Sequence, residues 1–134
     1  MTADSPRSDS SGPTGGLPGK GRFVLRRVGY ALAGLRWAWA HEASLRAEVF
    51  ALALASLLML WRNPDLLWWV AWIAAALLLL AAELGNSAIE RLADHLHPAH
   101  HPAIGQTKDM AAAFVFMTGV AAAATLLGAI ASTL

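Results

Sequence analysis

The stretch "LLWWVAWIAAALLLLAAELGNSAIERLAD", residues 66–94, decides the fold. Its first seventeen residues, 66–82, carry no charge and are almost all hydrocarbon. As a helix rising about 1.5 Å per residue they cover about 26 Å, close to the roughly 30 Å of bilayer hydrocarbon. Continued past the apolar run, the same helix places Glu83, Glu90 and Asp94 on one side. At about 100° per residue, Glu90 lies about 20° from Glu83, Asp94 about 20° the other way and Asn86 about 60° away. The four make a single stripe. Carboxylates stacked one and two turns apart repel, so the stripe is costly unless a cation neutralises it. Oxygen donors at this spacing suit a hard ion such as Mg²⁺.

Composition agrees with a membrane setting. Of 134 residues, 57% are hydrophobic and only 14% charged, and mean hydropathy is +0.48. A net charge of +1 gives no basic field for nucleic acid. The absence of cysteine excludes disulfides, thiolate metal sites and cysteine nucleophiles. Residues 1–21, rich in Ser, Gly, Pro and Asp, predict a disordered cytoplasmic tail with no signal-peptide core. Gly19 and Lys20 do not belong to a phosphate-binding loop, because Thr14 and Gly21 stand where that motif needs Gly and Ser or Thr.

Outward from the opening stretch, the expected fold class is an all-α integral membrane protein with a surface helix and three transmembrane helices. Residues 22–40 predict a basic amphipathic helix on the membrane surface, with Val24, Val28, Ala31, Leu35 and Trp39 along its apolar face. Transmembrane helices are expected at about 45–62, 65–94 including a cytoplasmic extension, and 108–133. Asn63 is expected to cap the second of these and Pro64 to open it. Trp68, Trp69 and Trp72 form an expected interfacial anchor. Ala124 and Gly128 offer a small-xxx-small face for close packing. Six of the ten basic residues precede the first span, which puts the N-terminus and the 83–109 segment in the cytoplasm and the C-terminus on the far side.

Six of the nine acids, Glu42, Glu48, Glu83, Glu90, Asp94 and Asp109, gather at that cytoplasmic boundary, the last beside Lys108. Ionisable groups there are functional candidates. The plainer alternative makes them solubilising residues paired with Arg46, Arg91 and Lys108. A divalent cation, carboxylates and a lysine beside lipid suggest phosphoryl transfer, with a carboxylate removing the proton of a hydroxyl acceptor. The histidines at 95, 97, 100 and 101 invite a zinc reading, but Pro98 and Pro102 break any fixed helical face, so a solvated loop is expected.

Three segments, "GYALAGLRWAWAHEASLRAE" (29–48), "ELGNSAIERLAD" (83–94) and "GQTKDMAAA" (105–113), resemble signatures of the prokaryotic diacylglycerol kinase family, which includes undecaprenol kinases. The resemblance runs from about Arg22 to the C-terminus. It implies a homotrimer in the bacterial inner membrane, with active sites between subunits, that transfers the γ-phosphate of ATP to diacylglycerol with Mg²⁺ and yields phosphatidic acid. By position it implies that Glu83 is the catalytic base, with Asn86 and Lys108 near the phosphates and the reacting hydroxyl. Glu42 and Glu90 resemble the metal ligands, while Arg22, Tyr30, Asp94 and Asp109, together with Lys108, resemble nucleotide-binding positions. Arg36, Arg46, Glu48, His101 and Gly105 also align. Ala33, Ala47, Gly85 and Ala112 depart from the family pattern; Gly85 weakens its helix by about 1 kcal/mol. Undecaprenol is the alternative acceptor. A non-catalytic oligomeric membrane protein that binds a divalent ion is the alternative of another class.

Overall fold

The computed structural model describes residues 20–96 and 101–134, with side chains from Val24 onward, so the tail expected at 1–21 falls almost wholly outside the described residues. Four helices follow in order: α1 (Lys20–His41), α2 (Ala43–Arg62), α3 (Leu66–Leu96) and α4 (Pro102–Ala131). No strand occurs among the described residues. The chain divides into two compact units, 1–34 and 35–134. In the first unit, Val24 and Val28 are exposed, and Arg26 donates a 3.4 Å hydrogen bond to the Tyr30 hydroxyl.

In the second unit, α2, α3 and α4 form an antiparallel bundle, and each is long and apolar enough to cross a membrane. The protein is an all-α membrane protein. Its turns follow local chemistry. Asn63 adopts a left-handed conformation, φ 50 and ψ 54, and its amide donates to the Met59 carbonyl at 2.8 Å. Asn tolerates this region better than most side chains, and it ends a helix here. The expectation that Asn63 and Pro64 start the following helix is therefore corrected: Asn63 closes α2, Pro64 is buried in the turn, and α3 begins at Leu66. Pro102 opens α4, where its missing amide costs nothing, and the His101 imidazole accepts from the Ala103 amide at 3.3 Å. Helix α4 thus starts at Pro102 rather than near 108.

The core is narrow: Met59, Trp72, Leu79, Ala122 and Ala129, flanked by Leu52, Trp68, Val115 and Leu126. The Trp72 indole donates to Ser56 Oγ at 2.9 Å, and Ser56 donates onward to the Leu52 carbonyl at 2.8 Å. Trp72 is only 4% exposed, and the Trp68 ring fills the space over Gly128, where a Cβ would collide with it. These two tryptophans are internal packing residues as well as neighbours of a helix end, which corrects the reading of the trio as an interfacial anchor. Ala124 is exposed, so the expected Ala124–Gly128 face is not buried as a pair within the chain. At this end of the bundle Arg62 reaches α4's C-terminal turn, with Nε donating to Thr133 Oγ1 at 2.9 Å and a terminal nitrogen to the Thr133 carbonyl at 3.0 Å.

Candidate functional site: a polar cluster at one end of the bundle

The opposite end gathers the start of α2, the last turns of α3 and the first turns of α4. Along α3 the stripe grades outward: Glu83 is 5% exposed, Asn86 and Glu90 are half-buried and Asp94 is exposed. One side chain thus enters the bundle while the next turns climb out of it. Asn86 Nδ2 donates to Glu90 Oε1 at 3.1 Å, so the amide orients that carboxylate. Lys108, on the two turns of α4 that precede the uncharged run from Met110, donates to Asp94 Oδ1 at 2.6 Å. That hydrogen bond is the chief cause of a raised Lys108 pKa; partial desolvation opposes it, and the charges of Asp94 and then Glu90 reinforce it.

Glu42 occupies the one-residue break between α1 and α2, with φ −100 and ψ 110. It makes no side-chain cap hydrogen bond, and its carboxylate lies 3.6 Å from Arg91 of α3. Glu48, one of the less distinct acids in the sequence, proves central: it is within electrostatic reach of Glu83, and its Oε2 is buried without a hydrogen-bond partner. Asn86 Oδ1 is likewise buried and unpartnered. Two acceptors with nothing to accept from are unusual in a folded interior and favour a ligand bearing protons or positive charge.

The sequence-predicted residues divide accordingly. Glu42, Glu83, Asn86, Glu90, Asp94 and Lys108 sit on the helix ends that meet here, and all but Glu83 take part in the bonds Asn86–Glu90, Lys108–Asp94 and Arg91–Glu42. Asp109 is exposed and makes no ion pair among the described residues. Tyr30 belongs to the first unit, and the side chain of Arg22 lies outside the described residues. So do His97 and His100, which places most of the histidine loop beyond description. Two of the three basic residues expected to pair with the acids do so; Arg46 instead donates to the Trp39 carbonyl at 2.8 Å. Among the described residues no three His, Cys, Asp or Glu side chains converge to hold a metal by themselves. One or two carboxylates completed by phosphate oxygens and water are an ordinary Mg²⁺ set, and the Glu42 and Glu90 oxygens have the right chemistry for it.

Sequence reasoning missed an apolar groove of about 440 Å³ lined by Leu35, Arg36, Trp39, Leu45, Val49, Leu80 and Leu84. Neither Glu48 nor Glu83 lines it, but Leu45 and Leu80 stand three residues before them on α2 and α3, which puts the groove about one turn from the acidic pair. Only the tertiary contact of α1's last turns with α2 and α3 creates it, although five of its residues lie in the segments 29–48 and 83–94.

Fold and cluster together define a class: a polytopic helical membrane protein whose carboxylates, amide and ammonium are assembled at one end of its helices. Within that class, residues 29–130 match the family described as prokaryotic diacylglycerol kinase, and the chain belongs to this family. The diacylglycerol kinase of Escherichia coli K12 is 34% identical over 102 residues, which cover 76% of this chain and 84% of that protein. The diacylglycerol kinase of Pseudomonas aeruginosa PAO1 is 39% identical over 111 residues, 75% of this chain and 87% of its own length. That of Haemophilus influenzae Rd is 32% identical over 94 residues, 70% and 80% respectively.

Proposed function

We propose that this protein is a Mg²⁺-dependent ATP:diacylglycerol phosphotransferase that makes phosphatidic acid in phospholipid recycling. We place it in a bacterial inner membrane as a homotrimer with active sites between subunits and facing the cytoplasm. The observation that carries the proposal is the buried Glu83 beside an apolar groove, with Asn86, Glu90, Asp94 and Lys108 continuing outward toward water. A lipid hydroxyl approaches such a carboxylate from the apolar side and a nucleotide from the polar side.

Glu83 takes the proton of the acceptor hydroxyl as its oxygen bonds to the γ-phosphorus; the bond from that phosphorus to the β–γ bridging oxygen breaks, and ADP leaves. Asn86 holds Glu90 in orientation and keeps its own buried Oδ1 as a further acceptor in the site, while the single proton of the acceptor hydroxyl goes to Glu83. Lys108, braced by Asp94, offsets charge on the transferring phosphoryl group. Arg22, Tyr30 and Asp109 complete nucleotide binding by family position. Glu42 and Glu90 would hold Mg²⁺, which when bound supplies charge neutralisation of the phosphates.

The test is transfer of labelled γ-phosphate from ATP by purified protein in mixed micelles containing native lipid, with diacylglycerol and undecaprenol supplied separately. Label on diacylglycerol that vanishes in Glu83→Gln supports the proposal. Label on undecaprenol alone keeps the chemistry and replaces the acceptor. No label on either, from folded protein, leaves a non-catalytic membrane protein.

A further inference from the structure

We propose that Arg91, held against the face of Trp37, is a positioning residue that keeps the Glu42 carboxylate turned toward α3, ready for a divalent cation. The inference rests on the reading of Glu42 as a metal ligand. A carboxylate at an N-cap position ordinarily turns back to accept from the free amides of the first helical turn. Glu42 has the extended backbone of such a residue yet makes no cap bond. Its carboxylate is instead drawn 3.6 Å from Arg91, one residue after Glu90 on α3.

An ion pair whose arginine side chain is 57% exposed would by itself be weak and mobile. Trp37 changes that. The Arg91 guanidinium carbon lies 3.9 Å from the indole centroid, and the His41 imidazole stacks on the same indole at 4.3 Å with planes 6° apart. Both groups therefore lie against the indole of Trp37. His41 is itself fixed, its Nδ1 lying 2.8 Å from the Trp37 carbonyl, which requires the proton on that nitrogen. The order His41, Trp37, Arg91, Glu42 thus runs from the last turn of α1 to α3 and back to the break between α1 and α2. A planar guanidinium serves both contacts at once, stacking by its face and pairing by its edge. Held on the ring, Arg91 would keep the carboxylate away from the α2 amides and leave Glu42 available to hold a divalent cation.

The experiment measures Mn²⁺ binding to the full chain in micelles with ATP present, from the free-ion electron paramagnetic resonance signal, alongside KM for Mg·ATP and kcat. Circular dichroism checks that each variant is folded. Arg91→Ala and Trp37→Leu are each expected to weaken Mn²⁺ binding about tenfold, as loss of a group that orients a metal ligand does. KM should rise while kcat stays within about twofold, because on this reading Arg91 and Trp37 act only through the Glu42 carboxylate. The double variant should be no worse than either single one, and Trp37→Phe, which keeps a ring face, should stay near wild type. Affinity lost in Glu42→Gln but unchanged in Arg91→Ala overturns the positioning role alone. Affinity unchanged in Glu42→Gln as well overturns the metal reading and this inference with it.

Discussion

Glu83 is a carboxylic acid 5% exposed on a helix otherwise made of Leu and Ala at that depth, with a second acid, Glu48, within reach of its charge. Such a placement costs stability and is kept where the group does chemistry. On the proposed reading Glu83→Gln preserves size and shape and removes only the base, so kcat should fall about 10²-fold or more while Mg·ATP binding stays nearly unchanged. Glu90→Gln should instead raise KM for Mg·ATP, and steady-state kinetics separates the two roles. Lys108 offers a pH test. Its pKa is raised in the folded protein, chiefly by the hydrogen bond to Asp94. The stabilisation from that pair is therefore fully present below the unfolded lysine pKa and is lost as pH rises through the higher folded value. Asp94→Asn should move the Lys108 transition to lower pH, followed by side-chain NMR of labelled lysine. All the charged members of this cluster were legible from spacing and resemblance. The contact of Arg91 with Trp37 was not, because the two lie on different helices in different segments and nothing in the sequence says that they meet.

At the scale of the element, the four helices were legible because apolar runs and an amphipathic period need no knowledge of neighbours. The junctions were not. Asn63 and Pro64 looked like the start of α3, yet the Asn63 amide goes back to the Met59 carbonyl, a choice that only the backbone angle φ 50 reveals. Packing was hidden for a related reason: a period says which face is apolar but not what covers it. The Trp68 ring lies where a side chain on Gly128 would be. Gly128→Val should overpack this contact and cost about 1–3 kcal/mol, and Trp68→Leu in the same chain should recover part of the loss. Trp72→Phe deletes the 2.9 Å bond to Ser56, worth about 0.5–1.5 kcal/mol, and also leaves a cavity where the larger indole was buried, so its cost should exceed that of the bond alone. Unfolding of each variant in micelles reads both effects.

Taken whole, the 35–134 unit shows apolar side chains such as Phe50, Leu54, Leu77, Phe114 and Phe116 outward, and its polar cluster sits at one end. Hydrocarbon or other copies of the chain must cover that surface, since water would not stabilise it. Three antiparallel crossings would put the start of α2 and the end of α4 on opposite sides, and the proposal that the polar cluster faces the cytoplasm draws on the positive-inside rule, since six of the ten basic residues precede α2. The protein has no cysteine, so single cysteines report topology without background. Thr107→Cys lies beside the cluster and Leu134→Cys at the far end of α4. In intact cells with a permeable outer layer, a membrane-impermeant maleimide should label Leu134→Cys at once and Thr107→Cys only after lysis. Labelling of both from outside would mean that α4 does not cross the bilayer. The reverse pattern would keep three crossings and turn the active end outward, where ATP is absent, so it would overturn the kinase proposal together with the orientation.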